Sequence, residues 1–364
     1  MISKIKVFFF SSSVLILTYF CLKFPEIIST SITESVNRCF SIIIPSMFMF
    51  MCLSSVMASS GLHRILGYPF RIISEKLFRI PPEGFAIFLL SMISGYPTGI
   101  KMIGDTYQNG ELTFSQARRM SCFCFSSGPA FISGTVTAVL YPDTNTCVII
   151  FLSILSGNII SALISAFTSK EKLNCNSKMI FSLKTNTVIS SIRSASGAMM
   201  QMCIMIVAFN GFCSILKYTG VIQAISILLS SCFSINTNIA ENIVMSSLEI
   251  SNIINFPTMN PYLLPVISFL LSFGGICVLM QVMALSSDFF SISSFIKYRL
   301  ISSFVSGIAC RLLMHFSDIS NSCSTGLKTV SENKYSPVPS LFLIIMVIIL
   351  LSSSNNLSIK KETC

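Results

Sequence analysis

Residues 83–134 read EGFAIFLLSMISGYPTGIKMIGDTYQNGELTFSQARRMSCFCFSSGPAFISG. The apolar run Gly84–Met92 stops at Ser94-Gly95-Tyr96-Pro97-Thr98-Gly99. Helix resumes through Lys101 and Asp105, crosses a polar turn at Asn109-Gly110-Glu111, and passes Arg118 and Arg119 before a second break at Ser126-Ser127-Gly128-Pro129. A spanning helix needs about 20 apolar residues, and Gly84–Ile93 is far shorter. Glycine and proline inside such runs interrupt the helix and release backbone groups. The stretch therefore reads as a discontinuous or re-entrant membrane segment whose free backbone is available to a ligand.

The rest of the chain supplies the membrane setting. It has 364 residues, 52% hydrophobic and only 10% charged, with a mean hydropathy of +0.78. Soluble domains carry about 25% charged residues, so the fold class is an all-α polytopic membrane protein. The net charge of +10 comes from Lys and Arg in short loops, the pattern of cytoplasmic loops in an inner-membrane protein. No basic run is dense or interleaved with aromatics, which argues against a nucleic-acid partner. Most of the 14 cysteines lie inside apolar runs, where Cys packs as a small hydrophobe. Cys122 and Cys124 lack CxxC spacing and His63 and His315 lie far apart, so no metal site or cofactor is expected.

In chain order, Lys4 and Lys6 precede an uncleaved first helix at Val7–Leu22, with the N-terminus in the cytoplasm. Pro25–Arg38 reads as a polar connector and Phe40–Ser60 as a span closed by Gly61. Leu62–Glu83 places Arg71, Glu75 and Arg79 at four-residue spacing, an amphipathic helix lying in the interface. Cys122–Leu140 and Thr146–Phe167 are read as spans, separated by a turn at Tyr141-Pro142-Asp143. Lys170, Lys172, Lys178 and Lys184 make the next loop cytoplasmic. Ser196–Leu216, Tyr262–Leu285 and Ile301–Phe316 follow as spans, with the short run Val221–Phe233 and a re-entrant hairpin at Asn236–Asn255 between them. Ser317–Pro339 is a polar linker, and Leu341–Leu351 is a short apolar run before Lys360 and Lys361. The domains are thus 1–34, a first repeat 35–168, a cytoplasmic loop 169–193, a second repeat 194–316 and a tail 317–364.

An internal repeat supports the two halves. A shift of 181 residues gives nine identities in 36 ungapped columns, among them Phe88-Leu89-Leu90-Ser91 on Phe269-Leu270-Leu271-Ser272 and Arg118 on Arg299. A second offset sets Ser35–Gly61 on Ser194–Gly220. The first repeat would start outside and the second inside, which makes them inverted. Inverted repeats with broken helices in corresponding places point to a secondary transporter.

The segments Ser94–Lys101, Ala117-Arg118-Arg119 and Ser126–Ile132 resemble the signature of the YlbJ-type sporulation integral membrane proteins, relatives of the nucleoside-recognition (Gate domain) proteins. Leu248–Asn252 and Ser272–Gln281 resemble that family's second half, so the likeness covers Ser35–Phe316. Where the family commonly has an asparagine pair before Ser-Gly-Pro, this chain has Phe125 and Ser126. The resemblance implies an architecture similar to concentrative nucleoside transporters. It also implies carriage of dipicolinic acid across the outer forespore membrane in the mother cell. The expected partners are a small anionic substrate and the lipid bilayer, with a homo-oligomer left open. A planar dianion needs cations and N–H donors. Tyr96, Thr98, Lys101, Ser126, Ser127, Glu249, Asn252 and Gln281 are the candidate substrate-binding residues. Lys101 is the first choice as charge partner and Glu249 as the group that takes a driving cation or proton. A nucleoside-type carrier, which would favour amides and carboxylates over Lys101, and a non-transporting scaffold are the alternatives. No nucleophile–base pairing or phosphate loop marks an enzyme.

Overall fold

A computed structural model describes residues 11–12, 14–15, 18–169, 185–286 and 288–316. The expected first helix Val7–Leu22 lies only partly within them. Lys4, Lys6, the loop lysines 170, 172, 178 and 184, and everything from Ser317 onward lie outside. The described residues form helices joined by short turns, with no strand among them.

Helix α1, Pro25–Ser60, runs 36 residues. Pro25–Arg38 is therefore helical and continuous with the next span, not a connector. Pro25 stands at the helix start with Glu26 in the first turn, where a proline loses no bond and a carboxylate meets the positive helix end. Near Pro45 the backbone widens into a π turn, Cys39–Ile43, which accommodates a ring that cannot continue the ordinary ladder. Gly61 closes α1 at φ 80 and Gly220 closes the later long helix at the same φ. Both are left-handed caps that glycine adopts without strain.

Helix α2, Leu62–Phe78, meets α3, Pro82–Ser94, at 97°. Ile65, Leu66, Ile72, Ile73 and Leu77 of α2 are exposed, as an amphipathic helix against lipid requires. Helix α4, Thr98–Gln108, and helix α5, Phe114–Met120, follow. Thr113 and Gln116 cap α5 reciprocally, at 3.2 and 3.0 Å, a capping box that fixes its start.

The expected span Cys122–Leu140 does not form. Residues 121–128 leave the helix as turn and coil, and only α6, Pro129–Leu140, is helical and apolar. Gly128 and Pro129 sit where the helix would have had to continue.

Helix α7, Thr144–Thr168, begins on an Asp143 cap that accepts from Thr146 N at 3.2 Å. Helix α8, Thr185–Tyr218, is the longest after α1. Helices α9, Val221–Phe233, and α10, Thr237–Leu248, meet at 118°. A 3-10 turn, Ile250–Asn255, leads to α11, Leu264–Phe273, and α12, Gly275–Leu285. Helix α13, Ile292–Phe316, ends the described chain.

Among the described residues, four helices are long and apolar enough to cross a membrane, or up to six if each bent pair counts as one span. Helix α13 is not among the four; it carries Lys297, Arg299 and Arg311. The core packs α7, α11 and α13 together through small residues. Ser153 meets Ser268 at 2.8 Å, Ser268 meets Ser306 at 2.7 Å, and Ser272 meets Ser302 at 3.1 Å. A Cβ added to Gly157 would lie 2.4 Å from Ser302 O. Small residues that let helix backbones close in are the usual means of association where water supplies no hydrophobic drive.

Candidate functional site

The breaks in the helices meet at one place. The C-terminal end of α3 stops at Gly95, whose φ of 79 and ψ of 178 lie in a region open essentially to glycine alone. A Cβ added to Gly128, in the break before α6, would lie 2.6 Å from Ile93 O and 2.8 Å from Gly95 N. One added to Gly274, between α11 and α12, would lie 2.6 Å from the Phe125 ring. One added to Gly275 would lie 3.2 Å from both Ser246 O and Ser247 O, at the end of α10. The breaks at 95–97, 121–128, 249 and 274 are thus in contact, and glycine is what lets their backbones approach. Tyr96 links two of them: its hydroxyl donates to Leu271 O at 2.8 Å, and its ring lies 4.7 Å from that of Phe125.

Arg299 clamps the crossing from α13. It is 1% exposed and donates to Cys122 O at 2.8 Å, Phe125 O at 3.0 Å, Ser272 O at 3.4 Å and Asn158 Oδ1 at 2.8 Å. Asn158 in turn donates to Phe125 O at 2.9 Å. The carbonyls freed by the two breaks thereby find donors, as a backbone away from water requires. The guanidinium lies 5.0 Å from the Phe125 ring and 5.8 Å from the Phe295 ring. No carboxylate pairs with it among the described residues.

Glu249 ends α10 and is 1% exposed. Its Oε2 accepts from Ser251 N at 3.0 Å and from the Ser251 hydroxyl. Among the described residues its Oε1 has no hydrogen-bond partner, nor do Thr98 Oγ1, Ser127 Oγ, Ser246 Oγ and Gln281 Oε1. Unmet buried polar atoms are costly in a membrane core. Asn252 donates to Asn210 Oδ1 at 2.9 Å and accepts from Arg38 at 3.5 Å.

Of the residues singled out from the sequence, Tyr96, Thr98, Ser126, Ser127, Glu249, Asn252 and Gln281 are all buried; all but Gln281, which lies within α12, are on or beside the breaks. Ser126 donates to Ser127 O at 3.2 Å. Lys101 lines a small pocket with Pro97 and Thr98, and its ammonium bonds to Ser194 Oγ in the N-terminal half of α8. Arg38, Asn158 and Arg299 were missed. Arg38 looked like the end of a connector, and Asn158 is a lone amide in an apolar helix. Arg299 stands just before the expected span Ile301–Phe316 and aligns with Arg118, but Arg118 itself is exposed and Arg299 is not.

The helices and their broken crossing define a multi-pass integral membrane protein. The chain is similar to the sporulation integral membrane protein YlbJ of Bacillus subtilis (strain 168), with 25% identity over 158 residues, 43% of this chain. That match supports the YlbJ-type resemblance, and it spans about two-fifths of the relative's own length, 39%. No family model matches the chain, and no solved structure does.

Proposed function

We propose that this chain is a sporulation membrane carrier for a small organic anion, dipicolinic acid foremost. It would work across the mother-cell-derived outer forespore membrane. The observation that carries the reading is the meeting of the helix breaks at 95–97, 121–128, 249 and 274 around unpartnered buried polar atoms. Broken helices meeting near the centre of a bundle are how transporters present backbone dipoles and polar side chains to a solute. The similarity to a sporulation protein supplies the setting. Glu249 is the group that would take a proton or cation along with the solute, because it is a buried carboxyl and one of its oxygens has no hydrogen-bond partner among the described residues.

A carrier for a neutral nucleoside-type solute is the second reading. Apart from Arg299, whose Nη groups are taken up by carbonyls and by Asn158, the side chains at the crossing are a carboxylate, an amide and hydroxyls, while Lys101 is bonded to Ser194.

The test is the dipicolinate content of spores from a strain lacking the gene, with and without the gene restored. Content falls in the deletion and returns with the wild-type gene, and Glu249→Gln restores much less of it. Normal dipicolinate content in the deletion strain would sink the carrier reading for that solute. Uridine uptake by the purified chain in proteoliposomes, with no dipicolinate uptake, would select the second reading.

A further inference from the structure

Glu249 closes a ring of polar side chains drawn from three parts of the chain. Its Oε2 accepts from the Ser251 hydroxyl, and Ser251 Oγ accepts from Arg38 Nη1 at 3.4 Å. The same Nη1 reaches Asn252 Oδ1 at 3.5 Å, and Asn252 donates to Asn210 Oδ1 at 2.9 Å. The Asn210 side chain is turned back toward Glu249. Arg38 and Asn210 also line a groove of about 530 Å³ between α1, the C-terminal half of α8 and residues 245–255.

The surroundings of Glu249 suit a proton and not a metal cation. Hard cations take about six oxygen ligands. Here the close neighbours are donors: Ser251 N and the Ser251 hydroxyl both give to Oε2. Asn210 Oδ1 is occupied by Asn252, so that amide offers its N–H side. Of the unpartnered oxygens, Glu249 Oε1 and Ser246 Oγ, one turn back, belong to the end of α10. Two oxygens fall well short of a cation's shell. The other titratable groups facing Glu249 are Tyr96 from the break after α3, Cys39 from α1, Cys213 from α8 and Cys277 from α12. A phenol and thiols are poor ligands for a hard cation. No group of three His, Cys, Asp or Glu side chains that could hold a metal lies among the described residues.

The charges point the same way. Arg38 is the charged side chain that acts on Glu249. It stands one hydroxyl away and has no ion-pair partner among the described residues. Glu26 and Glu34 line the groove from the exposed face of α1, and Lys217 is held by Glu241 at 2.8 Å. The two exposed carboxylates draw cations toward the groove. Arg38 at its inner end turns back any that must travel as a whole ion, because like charges at this range repel strongly away from bulk water. A proton is not stopped in this way, since it moves along hydrogen bonds.

We propose that Glu249 exchanges a proton with the groove, that no metal cation competes for it, and that Arg38 is the positioning residue that holds its ionised form. Uptake forms one O–H bond at Oε1, the oxygen with no donor, and leaves a neutral carboxyl. Release breaks that bond and restores the charge facing Arg38. The inference rests on the carrier reading, for which it names the coupling ion. Proton binding at Glu249 is nevertheless measurable with no solute present.

The test is infrared difference spectroscopy of the purified full chain in detergent micelles, titrated with acid. The C=O band of a protonated carboxyl that is missing from Glu249→Gln belongs to Glu249. That band grows in a single step as pH falls, and its midpoint is the same in sodium, potassium and choline chloride at equal ionic strength. A midpoint that drops when sodium or potassium replaces choline means that a metal cation competes at Glu249, and overturns the proposal. So does a Glu249 band that does not titrate over the range in which the protein stays folded. Arg38→Gln moves the midpoint to higher pH by about one unit or more, the effect of losing a nearby opposite charge, and Arg38→Lys moves it less. A merely structural Arg38 would change stability and not the midpoint, so an unmoved midpoint in a well-folded Arg38→Gln overturns its role. The salt comparison on the unaltered protein stands even if that variant does not fold. Uptake of dipicolinate or uridine is read separately in proteoliposomes. Titration without uptake sinks the carrier reading alone, and uptake with a sodium-sensitive titration sinks this inference alone.

Discussion

At the residue scale, two positions show how one side chain, or its absence, fixes the local structure. Gly128 has an ordinary φ of −60, so its need for glycine is steric. A Cβ there would press on Ile93 O at 2.6 Å, and backbone cannot swing aside as a side chain can. Gly128→Ala is expected to destabilise the protein by about 1–3 kcal/mol, the usual cost of overpacking. A lowered thermal midpoint in detergent would show it, and an unchanged midpoint would mean that the breaks are not held in contact. Glu111 sits in the turn between α4 and α5, outside the spanning helices, with its side chain 18% exposed. Its carboxylate is 3.8 Å from His63 Nε2 and paired with Arg64, tying the turn to α2. The His63 ring and then the Arg64 guanidinium hold its carboxyl below the usual carboxylate range, against burial, which pushes it up. A depressed folded value means stability that is full above the unfolded value of about 4.3 and is lost as pH falls through the folded one. The contribution of Glu111 to the thermal midpoint should therefore be constant above about pH 5 and fall below it, and Glu111→Gln should remove that part of the acid limb. Identical acid limbs in the two proteins would exclude Glu111 as a contributor.

At the scale of elements, Arg299 is the side chain that joins the two broken segments. It reaches from α13 to carbonyls of 122–125 and of Ser272. Arg299→Met removes those donors and leaves carbonyls unmet away from water, each costing about 1–3 kcal/mol. We expect a loss on the order of 3 kcal/mol, read as lower yield and a lower thermal midpoint. Arg299→Lys, a point charge without the planar fork, should recover only part of it. Wild-type stability in Arg299→Met would show that the crossing holds itself. The breaks at Gly95–Gly99, Gly128-Pro129 and Gly274-Gly275 were legible in the sequence, because Gly and Pro act locally on the chain. The fate of Cys122–Leu140 was not. Its composition is that of a span, yet 121–128 is unwound, since Arg299 and Asn158 supply donors that only the folded chain brings there. Pro25–Arg38 failed in the other direction. Its polar residues suggested a connector, but Ser31 and Ser35 bond to α8 and to α1 itself, at 3.1 and 2.7 Å.

At the scale of the whole molecule, the crossing and the groove share one wall, the segment from Glu249 to Asn252, which carries the buried acid on one side and meets Arg38 on the other. In a carrier, Glu249→Gln is expected to leave folding intact while reducing uptake, because the amide keeps shape but cannot lose a proton or hold a cation. Proteoliposome uptake with an unchanged elution profile is the measurement, and full uptake would remove Glu249 from coupling. The sequence by itself determined the membrane class, the helical content, the places where helices break and the polar residues that a bilayer would not tolerate idle. Those are local or compositional properties, set by charge content, apolar run length and the backbone limits of Gly and Pro. Only the tertiary structure decided which breaks touch, that Arg299 rather than Arg118 is buried, that Lys101 turns to Ser194, and that Arg38 and Asn210 face one groove. Each of these joins residues far apart in the chain. Their positions depend on how α1, α8 and α13 pack, through small-residue contacts whose register no single segment encodes.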